Sequence, residues 1–302
     1  MRKFFKNIIL FSILLFVAEK GVYYFLNQAP KNEYDKRLEN IVNNDMDYEL
    51  IILGSSRGAN NVVACQLENQ TGLKSYNLSY KGSNVIFHDF ILETYLKFNK
   101  NPQIILLFLD HKFTFVEEST LTFRYDRLFP LSKYDYINDV LIEKKKKNVL
   151  SKFFALSRVN RADFNMKKRS SRLNNTITRC GSILNLKPNH KELVYNSEKT
   201  EYAQNLEEAD RLNSFLNIQE QCKKNNIELI FVFSPNYHTF NTSFYERFKS
   251  LVQPENLIVV YDTLNLNYKK REYYFDSSHL LKNGAEMFTS ELSDFLEKTN
   301  NY

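Results

Sequence analysis

Glu49-Leu50-Ile51-Ile52-Leu53-Gly54-Ser55-Ser56-Arg57-Gly58 is the stretch on which the reading of this chain turns. Its first half is an apolar run without polar alternation, stopped by a glycine. A strand buried on both faces of a parallel sheet is written this way, whereas a half-exposed strand alternates. Its second half places two hydroxyls in a tight turn at the carboxyl end of that strand, the edge at which open α/β sheets bind ligands. A hydroxyl there, just before a helix, lies close to amides able to stabilise a developing anion. The same residues also make an ordinary turn and helix N-cap, so the motif alone does not choose.

Outward from this point the pattern repeats. Residues 74–78, 103–109, 227–233 and 257–261 read as four more buried strands, the fourth run ending at Ser234-Pro235. Helical spacing lies between them. Residues 85–98 put Phe87, Phe90, Ile91, Thr94 and Tyr95 near one face. Residues 207–225 carry Leu212, Phe215, Leu216 and Gln219, and residues 281–296 carry Ala285, Phe288, Leu292 and Phe295. Five strands alternating with helices predict an α/β fold with an open, doubly wound, five-stranded parallel sheet of flavodoxin-like type. Residues 111–205 break the rhythm and are too long for an ordinary connection. They read as a polar, basic insertion or cap beside the sheet edge, with helices near 134–145 and 149–159 and little periodicity over 161–189.

A second motif, Asp276-Ser277-Ser278-His279, directly precedes the last helix. A serine becomes a useful nucleophile when a base removes its proton, and a carboxylate commonly orients that base. Three residues of separation in a turn let Asp276 reach the imidazole of His279. A helix N-cap with a surface histidine is the other reading. With Ser56 after the first strand and His279 after the fifth, the candidate triad is Ser56, His279 and Asp276.

The two motifs together resemble the SGNH (GDSL) hydrolase superfamily, in which a Gly-Asp-Ser block follows the first strand and an Asp-x-x-His block precedes the last helix. Gly54-Ser55-Ser56 matches the first block with Ser55 where the aspartate usually stands, so Ser56 matches the nucleophile and Ser55 is the alternative. Gly82, in Tyr76-Asn77-Leu78-Ser79-Tyr80-Lys81-Gly82-Ser83-Asn84, matches the glycine after the second strand. The resemblance implies that the amides of Ser56 and Gly82 form part of an oxyanion hole, a plain turn glycine being the other reading. The Gly-x-Asn-Asp block after the third strand is absent, and Phe108-Leu109-Asp110-His111 stands there. Asn84 is the candidate substitute donor, and Arg57 the candidate contact for an acidic substrate or a carboxylate.

In this departure the chain is similar to the membrane-anchored proteins of alginate O-acetylation and teichoic acid D-alanylation. The resemblance implies an extracytoplasmic serine esterase or O-acyltransferase acting on acyl esters, with an acylated cell-surface polysaccharide as substrate. It leaves room for a membrane acyl-donor protein and implies no cofactor. Two other readings stand beside it: a non-catalytic binding or assembly protein of the cell envelope on the same fold, and a lipase or thioesterase acting on membrane lipid.

The amino terminus carries the membrane signal. After Met1-Arg2-Lys3-Phe4-Phe5-Lys6, residues 8–18 are cleanly apolar, Glu19 and Lys20 interrupt, and residues 22–26 resume. A membrane span needs about 20 apolar residues. Residues 4–26 suffice if Lys6, Glu19 and Lys20 lie near the edges or snorkel. Phe16 is too large for the −3 position of a cleavage site at Ala18. Residues 1–30 are therefore read as an uncleaved anchor, with a cleaved signal and a buried helix as alternatives. Arg2, Lys3 and Lys6 keep this end in the cytoplasm by the positive-inside rule, which puts the domain over residues 31–302 outside. Tyr23 and Tyr24 suit the aromatic belt at the outer interface. Residues 27–32 read as a linker and 34–42 as a short amphipathic helix.

Composition bounds the rest. The 302 residues, 43% hydrophobic, suit one large domain or two small ones. With no Trp, 25 Phe and 19 Tyr must supply the bulky core contacts. The net charge of +6 is modest, no nucleic-acid motif accompanies it, and nucleic acid is set aside as a partner. The run Lys144-Lys145-Lys146-Lys147 reads as a solvated helix end, or else as a contact for anionic lipid or an acidic polymer. Cys65, Cys180 and Cys222 lack metal spacing. They read as packed free thiols, with one bridge and a spare thiol as the alternative. His111 and His238 fall at strand ends without a ligand cluster, so no metal is expected. His238 is a candidate to line the pocket, whereas His88 and His190 have no identifiable role.

Overall fold

The computed structural model describes residues 1–164, 167–170, 176–189 and 192–300, so His190 and part of the weakly periodic 161–189 stretch lie outside the described residues. Five strands form one sheet: β1 Leu50–Leu53, β2 Ser75–Asn77, β3 Ile104–Phe108, β4 Glu228–Phe233 and β5 Leu257–Val260. The first helices in chain order are α1 Arg2–Asn32, α2 Arg37–Val42, α3 Ser56–Asn61, α4 Ala64–Thr71 and α5 Val85–Phe98. They are followed by α6 Tyr125–Leu128, α7 Asp135–Glu143, α8 Ala155–Arg158, α9 Ala209–Lys224, α10 Thr242–Lys249 and α11 Lys282–Asn300. The chain divides into two compact units. One joins Met1–Val42 to Arg124–Ser170, and the other joins Asn43–Phe123 to Ser171–Tyr302.

The second unit holds the sheet, ordered β2-β1-β3-β4-β5 with every pair parallel. Register is set by pairs such as Ile51 with Ile105, Leu106 with Ile230 and Phe231 with Ile258. Every residue of β1 and β3 is buried, as unbroken apolar runs require. Successive side chains point to opposite faces. Leu50, Ile52, Ile104, Leu106, Phe108, Ile230 and Val232 share a cluster with Leu67 of α4 and with Ala285, Phe288, Leu292 and Leu296 of α11. Phe231 and Phe233 instead meet Phe215 of α9 and Phe248 of α10, with ring centroids 5.1–5.2 Å apart. Phe and Tyr thus do the packing that the missing Trp cannot. Burying one such ring as fully as Phe288 stabilises by about 1.5–3 kcal/mol.

Several local readings change. Helix α10 has no counterpart in the sequence reading. Its Asn241 cap accepts the Phe244 amide at 2.8 Å, and Phe244 and Phe248 lie fully buried one turn apart. Leu216 of α9 is 39% exposed, while Ile218 and Cys222 take the core positions. Cys65 and Cys180 form a disulfide closing 115 residues, so these are not free thiols. Burial pushes the thiol of Cys222 up to about 12. The bridge ties α4 to the segment whose Cys180 carbonyl accepts the Asn77 amide of β2 at 2.8 Å.

The first unit contains α1, whose 31 residues are long and apolar enough to cross a membrane. The helix runs on through residues 27–32, where a linker was expected. Leu26, Ala29 and Pro30 are buried, and Lys36 donates to the Pro30 carbonyl, so tertiary contacts carry the helix past its apolar stretch. Pro30 lies inside the helix near its end, where it cannot donate to the Leu26 carbonyl. The insertion is divided: residues 124–170 belong with the amino-terminal helices, and residues 111–123 and 176–205 with the sheet. Helix α7 forms within the expected 134–145 stretch. Residues 149–159 do not form one helix but a 3-10 turn over Val149–Lys152 and the short α8. Asn148 caps the first through the Leu150 amide, and Glu19 of α1 accepts the Ala155 amide at the start of the second.

Candidate active site

The strand order reverses at β1, with β2 on one side and β3 on the other. The Gly54-Ser55-Ser56 turn leaves the carboxyl end of β1 at this point, the edge at which open parallel sheets commonly bind ligands. Gly54 has φ +155°, and a Cβ there would lie 2.9 Å from the Cβ of Phe108 on β3, so only glycine lets the turn pass. Ser55 is the N-cap of α3 and is fully buried, its hydroxyl accepting the Arg57 amide and donating to Asp110. Ser56 opens α3 and is half-buried, the one member of Gly54-Ser55-Ser56-Arg57 with access to solvent.

The Ser56 hydroxyl lies 2.7 Å from Nε2 of His279. On the far side of the ring, Nδ1 lies 2.8 Å from each oxygen of Asp276. Between α3 and this turn the chain runs 223 residues. The turn is rigid in its own right, because Asp276 Oδ1 also accepts the amides of Ser278 at 2.8 Å and His279 at 3.0 Å. Burial opposes ionisation of Asp276, but the hydrogen bond and charge of His279, with the two amides, outweigh it and hold the carboxyl below its usual pKa. A carboxylate on Nδ1 fixes the tautomer that leaves Nε2 free to accept a proton. Ser56, Asp276 and His279, chosen from the sequence, are therefore brought together. Ser55 points away from His279.

A buried polar set lies behind the turn. Arg57 and Asp110 are each 6% exposed, with Nε of Arg57 3.7 Å from Oδ1 of Asp110. The Arg57 guanidinium also donates to the Asn236 side chain and, at 3.2 Å, to the hydroxyl of Ser278 within the histidine turn. Burial raises the Asp110 pKa against the pull of Arg57 and Ser55, and lowers that of Arg57 against Asp110 and Asp276. Arg57, read as a contact for an acidic substrate or a carboxylate, meets the carboxylate of Asp110 and spends its donors inside the protein. His111, in a left-handed backbone conformation at φ 50°, contacts Asn236 with its ring. His238 is half-buried, with Nδ1 2.9 Å from the Thr239 carbonyl.

Gly82 and Asn84 lie in the loop after β2. That loop is tied to the Gly54-Ser55-Ser56 turn, since the Gly54 carbonyl accepts the Tyr80 amide at 3.0 Å and the Ser83 hydroxyl at 3.2 Å. Gly82 takes φ +72°, a conformation suited to glycine. Asn84 caps α5, its Oδ1 accepting the Phe87 amide at 3.1 Å. Lys81 of the same loop is near enough to Asp276 for the carboxylate to oppose the lowering of its pKa by burial.

Two residues at the site have no precedent in the sequence reading. Asn61, fully buried at the end of α3, donates to Ser234 Oγ at 3.0 Å and to the Ser278 carbonyl at 3.3 Å, and accepts the Leu280 amide at 2.9 Å. Asn236 joins Arg57 and His111 just past β4. The only signal for Asn236 was its place at the carboxyl end of a strand, and nothing local marked Asn61. Among the described residues no group of three or more His, Cys, Asp or Glu is placed to hold a metal ion. No protein-family model matches this sequence, and no match to it was found among curated proteins.

Proposed function

We propose that this protein is a membrane-anchored, extracytoplasmic serine hydrolase or acyltransferase of SGNH type, with Ser56 as nucleophile. The observation that carries the reading is the continuous contact from the Ser56 hydroxyl through His279 to Asp276. In the proposed reaction Ser56 Oγ attacks an ester carbonyl as His279 Nε2 takes the hydroxyl proton. Collapse of the tetrahedral intermediate breaks the bond to the alcohol, which leaves with that proton. Water or a sugar hydroxyl then attacks the acyl-serine as His279 takes its proton, and the bond to Ser56 Oγ breaks as His279 returns that proton to it. Asp276 stays ionised and balances the charge on the imidazole. The amides of Ser56 and Gly82 are the proposed oxyanion donors, with the Asn84 side chain beside them.

The strand order β2-β1-β3-β4-β5, with helices packed against both sets of strand side chains, supports the doubly wound, flavodoxin-like form of the fold. Helix α1, with Arg2, Lys3 and Lys6 at its start, supports an orientation with the amino terminus inside. The disulfide supports an oxidising compartment for the folded domain. Outside the membrane such an enzyme meets acylated cell-surface polysaccharide, and a membrane acyl donor would be its partner in transfer. The test is labelling of the full chain with a fluorophosphonate and mapping of the modified residue. Labelling at Ser56 that is lost in His279→Ala is expected. A folded protein that stays unlabelled would favour the non-catalytic assembly reading, for which the missing Asn of the third block is the specific observation.

A further inference from the structure

The triad leaves unused the most basic part of the molecule. Segment Arg124–Ser170 carries thirteen Lys or Arg against five Asp or Glu, a net of +8, whereas the whole chain carries +6. The rest of the protein is therefore slightly acidic, and the positive charge is gathered in the unit that contains α1. Within this unit lies a cavity of about 300 Å³, and none of the triad residues lines it. Its walls include Glu19, Lys20 and Tyr23 of α1 and Lys133, Lys152 and Arg158 of the basic segment.

Four cations and one carboxylate face this space, and the carboxylate is occupied. Glu19 accepts the Ala155 amide at 2.8 Å and so holds α8 against the helix. Three of the cations have counter-ions: Lys152 with Asp139 at 3.0 Å, Arg158 with Asp135 at 2.7 Å, and Lys133 with Glu39 at 3.8 Å. Asp135 and Asp139 are 83% and 53% exposed, so water screens them, and neither lines the cavity. Beside it Val149, Leu150, Phe153, Phe154 and Leu156 are all 40–76% exposed. A soluble surface seldom concentrates five large apolar side chains within eight residues. Basic residues interleaved with exposed Phe and Leu are the composition of segments that lie in a bilayer interface.

The position along α1 agrees. Lys3 and Lys20 are separated by about 26 Å at the helical rise per residue, close to the ~30 Å of a hydrocarbon core. With the amino-terminal cations at one interface, Lys20 and Tyr23 reach headgroup depth at the other. We propose that this cavity binds the phosphate-bearing headgroup of an anionic phospholipid, with Lys20, Lys133 and Lys152 around the phosphate, Arg158 bracing the wall through the carbonyls of Lys133, Ser151 and Lys152, and the 149–156 side chains among the acyl chains. The inference rests on the anchor reading of α1 and is independent of the triad. The site gives the protein a fixed depth and a preference for anionic membrane.

The test uses the full chain reconstituted into phosphatidylcholine vesicles with spin-labelled phosphatidylglycerol or spin-labelled phosphatidylcholine as probe. Wild-type protein is expected to immobilise the glycerol lipid in several-fold preference. Lys20→Gln with Lys152→Gln is expected to remove that preference, and Lys152→Arg is expected to keep it. Retained Ser56 labelling or an unchanged melting temperature reports that the variants fold. Equal immobilisation of the two lipids by the wild type, or a preference unchanged in the double variant, overturns the site and leaves the anchor standing. Release of the chain from membranes by alkaline carbonate overturns both.

Discussion

Asn61 and Leu280 are joined at 2.9 Å, the Asn61 side-chain oxygen accepting the backbone amide of the residue next to His279. With its two donor hydrogens on Ser234 and the Ser278 carbonyl, Asn61 fastens the end of the nucleophile helix to the histidine turn. Asn61→Ala leaves a buried amide and hydroxyl without partners, a cost of about 1–3 kcal/mol. It also loosens the distance between Ser56 and His279. The expected result is a fall of about 10²-fold in the rate of Ser56 acylation, measured with a fluorophosphonate, in a protein that still folds. A rate within twofold of wild type would show that the turn holds itself.

The two serines of the motif separate cleanly. Ser56→Ala is expected to abolish labelling while shifting stability by no more than about 0.5 kcal/mol, as for a partly exposed side chain. Ser55→Ala removes the hydroxyl that donates to buried Asp110. It is expected to cost about 2 kcal/mol, or about 4–8 °C in Tm, with labelling retained. Calorimetry and labelling on the same samples read both effects.

Arg57 and Asp110 form a buried pair, and removing one partner strands the other charge. Arg57→Ala is expected to destabilise by about 3–5 kcal/mol, more than any surface arginine. Arg57→Lys is expected to recover only part, because one ammonium cannot serve Asp110, Asn236 and Ser278 together. Urea denaturation of the three proteins gives the comparison.

The Cys65–Cys180 bridge closes 115 residues, with both cysteines in the sheet unit. Reduction, or Cys65→Ser, is expected to lower stability by about 2–5 kcal/mol. Cys222→Ser should change the response to reductant little. Melting temperatures with and without dithiothreitol check this.

His88 and Asp89 are neighbours on α5 with opposite titration. Burial, assisted by the charge of Arg211, lowers His88 to about 3, and burial raises Asp89 to about 6 against hydrogen bonds from α9. The His88 contribution is complete above the unfolded pKa of 6.5 and is lost as pH falls towards 3. The Asp89 contribution is complete below 3.8 and is lost as pH rises through 6. Between about pH 4 and 6 the two slopes oppose each other, each amounting to about 1.4 kcal/mol per pH unit at most. Asp89→Asn is therefore expected to steepen acid destabilisation below pH 6.5, and His88→Gln to reverse its direction between pH 4 and 6. Denaturation midpoints across that range are the measurement.

Much of the sheet was legible because burial on both faces leaves no alternation to misread. The runs through Ile51–Ile52 and Ile105–Leu107 could be little else, and the glycine at 54 marked the turn. Ser56, Asp276 and His279 were legible because the proposed chemistry demands particular side chains, here just after β1 and just ahead of α11. What could not be read was long-range. Nothing in the spacing of Cys65 and Cys180 announces a bond across 115 residues. The continuation of α1 through residues 27–32 depends on the burial of Leu26, Ala29 and Pro30, which no local propensity encodes. The internal partners of Arg57 could not be named from the sequence, because Asp110, Asn236 and Ser278 lie 53, 179 and 221 residues away. Helix α10 was missed because only two of its eight residues are fully buried.

The 223 residues between Ser56 and His279 also set when the hydroxyl can meet its base. The nucleophile turn emerges early and the imidazole arrives with the final helix, after the last strand has been laid down at the sheet edge. On the proposed reading, a chain that ends before His279 holds a serine with no base beside it. If Ser56 is the nucleophile, the length of the connection withholds its proton acceptor until the last strand of the sheet has been made.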